Sequence, residues 1–167
     1  VIPNPIITQT ERFSTCSAHQ VIAAGRYVPQ KGFDLLIEAW SIISKKYPTW
    51  TLRIYGDGVL RDSFQQRIDE LAMTDSCILE HTVSNIVDKY CESSIFVLSS
   101  RFEGFGMVIT EAMACGVPPV SFDCPCGPKD IIDDGKDGLL VENENIEKLA
   151  EKIAYLIENE NIRMDMG

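Results

Sequence analysis

The sequence predicts an α/β domain: a doubly wound parallel sheet of about six strands with helices on both faces. Three observations lead there. Short apolar runs such as Val21-Ile22-Ala23-Ala24 and Ile95-Phe96-Val97-Leu98 read as strands buried on both sides. Longer segments between them carry apolar residues at helical spacing. The two patterns alternate along the chain, as parallel strands joined by helical crossovers require.

The elements follow in order. Residues 20–24 form the first strand. A helix is expected over 33–46, where Leu36, Ile37, Trp40 and Ile43 share a face, and it ends before Pro48. Residues 51–55 give the second strand, 60–71 the second helix and 77–79 a short third strand. A helix over 85–92 and a strand over 95–98 follow. Residues 106–115 are expected to be helical, 119–122 a strand, 129–132 a short helix, 138–141 the last strand and 146–158 the closing helix. The whole is Rossmann-like. In such folds ligands sit beyond the carboxyl ends of the strands, near the switch in strand order, so those loops are where chemistry is expected.

The 167 residues suffice for one domain with a real core, and with 45% hydrophobic residues the chain is globular rather than disordered. The net charge of -10 argues against nucleic acid or an anionic membrane surface as the main partner. It leaves room for a phosphorylated small molecule held by a few local donors. No signal peptide or membrane-length apolar run is seen. Residues 1–15 read as a linker and domain start and 16–167 as the domain, cut from a longer protein. Six cysteines, at 16, 77, 91, 115, 124 and 126, fall largely in apolar segments and read as reduced thiols of a cytoplasmic protein. Cys124 and Cys126 lack a second pair at zinc-site spacing.

The strand-end loops hold the candidate chemistry. After the first strand, Gly25-Arg26-Tyr27-Val28-Pro29-Gln30-Lys31-Gly32 places two cations five residues apart, either a phosphate clamp or two solvated charges. After the second, Gly56-Asp57-Gly58 resembles a dinucleotide fingerprint, but Arg61 stands where the third glycine belongs. A tight turn admitting another backbone is the safer reading. After the third come His81-Thr82-Val83-Ser84-Asn85, with Ser84 a candidate helix cap. After the fourth, Glu103 and Glu111 stand eight residues apart around Gly104-Phe105-Gly106. The helix start near Gly106, Met107 and Val108 suits a phosphate, and the Glu111 carboxylate suits a vicinal diol such as that of ribose. Dipole-favoured helix-end acids would explain one glutamate in the first turn, but neither Glu111 nor the two glycines. A hydrolase pair would need the two carboxylates about 5–9.5 Å apart across the scissile bond, which Glu111 inside a helix does not suit. After the fifth strand, Lys129 either faces the site or belongs to a structural turn.

Gly25-Arg26 with Lys31-Gly32, the Glu103/Glu111 pair, Ala112-Met113-Ala114-Cys115-Gly116-Val117-Pro118, and Asp134-Gly135 with Gly138-Leu139-Leu140-Val141 together resemble glycosyltransferase family 4. The match is to its C-terminal, nucleotide-sugar-binding domain, over nearly the whole chain. The resemblance implies one half of a GT-B fold, retaining transfer from a nucleotide-diphosphate sugar, and no metal or other cofactor. It implies catalytic roles for Arg26 and Lys31, on the donor diphosphate, and for Glu103, on the donor sugar. Glu111 would meet the ribose, Thr82 and Val83 the base with Asn85 nearby, and backbone at Phe105, Gly106, Met107 and Val108 the sugar and phosphate, with Gly25 and Gly104 also donor-binding. Asp130 stands where the family more often has Glu. The implied acceptor is a glycan or lipid-linked glycan bound by an N-terminal domain absent from this chain. Peripheral association with the inner face of the membrane is implied for the full-length protein. Two alternatives stay open: a sugar-nucleotide epimerase of the same fold, and a non-catalytic nucleotide-binding module.

Overall fold

Six parallel strands form one sheet, β1 (Gln20–Ala24), β2 (Thr51–Tyr55), β3 (Cys77–Glu80), β4 (Ile95–Leu98), β5 (Pro119–Phe122) and β6 (Leu139–Val141), in the order β3-β2-β1-β4-β5-β6. This is the expected doubly wound architecture. The chain grows from β1 out to β3, then returns to β4 on the other side of β1. The switch point, with its crevice, therefore lies between β1 and β4. The computed structural model describes residues 14–101, 107–123 and 128–166, without the side chains of Met107, Lys129 and Asp130. Residues 1–13 of the expected linker lie outside them.

The helices are α1 (Phe33–Lys46), α2 (Arg61–Glu70), α3 (Ile86–Cys91), α4 (Met107–Ala114), α5 (Pro128–Ile131), α6 (Ile146–Glu158) and α7 (Glu160–Met166), and a 3-10 turn covers Pro29–Lys31. Successive strand residues point to opposite faces. Val21 and Ala23 join the core under α1, α2 and α6, while Ile22 joins a smaller core under α3 and α4. The larger core holds Leu36, Ile37 and Trp40 of α1, all fully buried. Each such side chain stabilises the fold by about 1.5–3 kcal/mol relative to exposure. With both faces covered, β4 and β5 have every residue buried, which explains their unbroken apolar sequence.

Two local expectations are corrected. Ser84 does not cap α3. The cap position is Asn85, and its amide donates to Asp88 rather than capping the backbone. The chain also continues past α6 into α7. Asn159 breaks the helix with non-helical dihedrals, its side chain donating to the Tyr155 carbonyl, and Arg163 then buries itself.

Candidate functional site

The loops at the carboxyl edge are interlocked through backbone. A Cβ added at Gly56 would come within 1.8 Å of the Gly25 carbonyl oxygen, and one at Gly58 within 2.6 Å of the Tyr27 carbonyl oxygen. The Gly56-Asp57-Gly58 turn is thus a seat for the loop after β1, as its reading as a backbone-admitting turn anticipates. The Tyr27 N–H donates to the Asp57 carbonyl at 3.0 Å. The Tyr27 hydroxyl, fully buried, reaches the carbonyls of Ile54 and Glu80 at 2.6 and 2.8 Å. Asp57 ties in the loop after β3. Its carboxylate accepts the Thr82 N–H at 3.2 Å, lies 3.0 Å from His81 Nδ1, and pairs with Arg61 at 3.2 Å. Arg61 also donates to the carbonyls of Leu79 and Glu80.

The two sides of the crevice are joined as tightly. Gly32, in the left-handed region at φ +63°, precedes α1, and a Cβ there would lie 2.0 Å from the Ser99 carbonyl oxygen. The Ser99 hydroxyl donates to the Lys31 carbonyl at 2.9 Å. Arg101 donates from its backbone to Gln30 and from its guanidinium to Pro29, Asp34 and Glu144. The loops after β1, β4 and β6 thus form one braced rim.

On this rim, Lys31 runs its stem over Gly25. A Cβ at Gly25 would stand 3.2 Å from Lys31 Cδ, so the glycine makes room for the lysine. Arg26, from the same loop, is exposed and makes no side-chain hydrogen bond or ion pair among the described residues. Across the crevice, α4 begins at Met107, and Glu111 lies four residues further on, about 6 Å along the axis. Glu111 is partly buried, and among the described residues no side chain donates to it. Burial pushes its carboxyl above the ordinary carboxylate value.

Of the sequence-predicted site residues, the structure places Gly25, Arg26 and Lys31 on one loop and Thr82, Val83 and Asn85 on the loop after β3. Met107, Val108 and Glu111 open α4. Thr82 and Asn85 are exposed, and Val83 packs on the smaller core. Glu103, Gly104, Phe105 and Gly106 lie outside the described residues, as do Cys124, Cys126 and the side chains of Lys129 and Asp130. Cys16, Cys77, Cys91 and Cys115 are buried free thiols, as expected, and the described residues contain no metal-sized cluster of His, Cys, Asp or Glu. Three bracing side chains, Asp57, Arg61 and Arg101, give no sequence signal of that role, because the partners that make them braces, His81 and Thr82, Leu79 and Glu80, and Pro29, Asp34 and Glu144, are far away in the chain.

A hollow of about 620 Å³ lies elsewhere, between α1 and α6, with Ile42, Lys46, Tyr47, Glu151 and Tyr155 in its lining. Its lining comes from α1, Tyr47 and α6 and carries three glutamates. The crevice between β1 and β4 is the better candidate, because the fold topology points there and Arg26 and Glu111, which have no side-chain partner among the described residues, lie on the elements beside it.

Comparison with known proteins agrees with this fold. The model for glycosyl transferases group 1 matches residues 16–167. A glycosyltransferase of Haemophilus influenzae is 31% identical over 99% of the chain, which covers 46% of that protein. The poly(ribitol-phosphate) alpha-N-acetylglucosaminyltransferase of Staphylococcus aureus is 34% identical over 85% of the chain, which covers 29% of it. The chain thus spans less than half the length of the curated relatives it matches. The crystal structure of a mutant of S. aureus TarM, in complex with fondaparinux, alpha-GlcNAc-glycerol and UDP, superposes with a TM-score of 0.90 at 32% identity, over 96% of this chain and 32% of that one. A family model spanning all but the first residues, relatives of that family above 30% identity and a shared fold lead to one conclusion: the chain belongs to the glycosyl transferases group 1 family.

Proposed function

We propose that the chain is the donor-binding half of a retaining, family 4 glycosyltransferase of GT-B architecture, and that it binds a nucleotide-diphosphate sugar between β1 and β4. The observation that carries this is a pair of opposite charges that have no side-chain partner among the described residues, on a rim whose other arginines are engaged. Arg26 stands on one wall and the partly buried Glu111 on the other. Partial burial raises the cost of its ionised form, and a bound donor would offset that cost. The 2′,3′-hydroxyls of a ribose are suitable donors, one to each oxygen.

The remaining parts follow from one ligand lying across the crevice. Arg26 and Lys31 receive the diphosphate, with the N–H groups opening α4 beside it. Glu103 takes hydroxyls of the donor sugar. When the anomeric bond breaks, negative charge grows on the departing diphosphate. The two cations and the helix start stabilise that charge more than they stabilise the bound ground state. Each removed donor would raise the barrier by about 3 kcal/mol. No metal is needed in this scheme.

The acceptor would be a glycan polymer or lipid-linked glycan held by a separate N-terminal domain. The polymer named in the S. aureus relative supports that class. In this reading the reaction runs in the cytoplasm, with peripheral association of the full-length protein at the inner membrane face. Among the described residues, no helix is long and apolar enough to cross a membrane.

Titration calorimetry of the chain against UDP-, GDP- and ADP-sugars tests the reading. Saturable 1:1 binding of one class is expected, and binding of none would contradict it.

A further inference from the structure

We propose that Cys91 and Cys115 form an oxidisable dithiol, a modification site that hydrogen peroxide converts to a disulfide tying the end of α3 to the end of α4. The proposal does not depend on what the crevice binds. Cys91 is the last residue of α3, and Cys115 directly follows the last residue of α4. The two helices pack against each other, and both thiols belong to the smaller core. Within it the two sulfurs are in hydrogen-bond contact, with the Cys115 S–H as donor. The other described thiols are placed differently. Cys77 lies in the larger core, on the other face of the sheet, and Cys16 donates to the Gly116 carbonyl at 3.2 Å. Both sulfurs of the pair sit at helix ends, where a shift of a terminal turn can close a contact into a bond. Gly116, in the left-handed region at φ +77°, turns the chain just after Cys115.

The two sulfurs are unequal, which gives each a role. Cys115 is fully buried. Burial, with Cys91 and the Glu111 carboxylate beside it, pushes its thiol up to about 12, so it keeps its proton at neutral pH. Cys91 is 7% exposed and accepts the Cys115 S–H, so it is the sulfur that a small oxidant meets first. Its thiolate attacks one oxygen of hydrogen peroxide and the O–O bond breaks. The departing hydroxide takes up the proton that Cys91 released and leaves as water, and Cys91 becomes a sulfenic acid. The Cys115 sulfur then attacks the Cys91 sulfur. The S–S bond forms, the S–O bond breaks, and the hydroxide leaves as water with the Cys115 proton. In sum two thiols are oxidised to one disulfide, and one peroxide is reduced to two waters. Glu111 lies one turn before Cys115, so the bond also fixes the helix that carries it.

The test treats the folded wild-type chain with hydrogen peroxide, blocks the remaining thiols with iodoacetamide and maps the digested peptides by mass spectrometry. A crosslinked Cys91–Cys115 peptide is expected, lighter than its two reduced halves by two hydrogens and separated again by dithiothreitol. Dimedone, which traps sulfenic acids, should label Cys91 in C115A and leave Cys115 unlabelled in C91A. Two packed thiols that serve only as small apolar side chains would give no crosslink. Its absence from the folded wild-type chain, its formation only in denaturant, or disulfides confined to the other cysteines would overturn the proposal, whether or not the variants fold. Dimedone on Cys115 in place of Cys91 would overturn the order of attack.

Discussion

Two arginines at opposite ends of the domain show how charge is used in this chain. Arg163, on α7, is 3% exposed and fully engaged. It donates to the carbonyls of Cys16, Leu156 and Ile157, and its guanidinium lies 5.2 Å from the centre of the Trp50 ring. Two of those carbonyls belong to the last turn of α6, which has no internal partners for them. Arg26, at the carboxyl edge of the sheet, is exposed and engages no described side chain. One cation closes a helix end, and the other stands exposed on the loop after β1. Around Arg26, the arginines of the rim are occupied: Arg61 and Arg101 each brace two loops. The difference separates charges that hold the fold from charges available to a ligand.

That contrast can be broken by substitution. The largest effect on stability is expected from Arg163→Ala. It strands three carbonyls and removes the contact with Trp50, so it should cost about 3 kcal/mol in denaturant unfolding. Nucleotide affinity, measured well below the transition, should not change. Arg26→Ala should do the reverse. Stability should stay within about 0.5 kcal/mol, while affinity for the donor nucleotide drops by about tenfold or more. If Arg26→Ala destabilised the fold and spared binding, the separation would fail.

Glu111 gives the smallest and most diagnostic effect. Burial raises its carboxyl in the folded state above the ordinary value of 4.5, while the unfolded chain keeps that value. Its contribution to stability is therefore complete below pH 4.5 and is lost as pH rises through the folded value. A glutamine does not titrate. Glu111→Gln should melt slightly higher than wild type at neutral pH, and the gap should close as pH falls below 4.5. The same change should weaken nucleotide binding, a stability gain obtained at the expense of function. A variant less stable than wild type at neutral pH would mean that the carboxylate holds the fold.

Much of the fold was legible because its signals are local. The wholly buried β4 and β5 read as unbroken apolar runs, and α1 shows its buried face in Leu36, Ile37, Trp40 and Ile43. Gly56 and Gly58 announced a close backbone approach, although not that Gly25 and Tyr27 make it. Arg26, Lys31 and Glu111 stood out as charges at strand ends and in a helix start. What stayed hidden was long-range. Asp57 meets His81 and Thr82 across 24 and 25 residues, Arg101 meets Asp34 across 67, and Arg163 meets Cys16 across 147. Such pairings depend on the assembled sheet order, which no local pattern encodes. α7 was missed for the same reason, since its anchor is a tertiary contact rather than a periodic apolar face.

The most direct test of the central claim is an amide chemical-shift titration of the isotopically labelled chain with the nucleotide sugar that binds it best. The account predicts saturable shifts concentrated in residues 25–32, 81–85 and 107–111, with the 147–158 face of α6 unmoved. Shifts centred on the hollow between α1 and α6, or no saturable shift with any UDP-, GDP- or ADP-sugar, would contradict it.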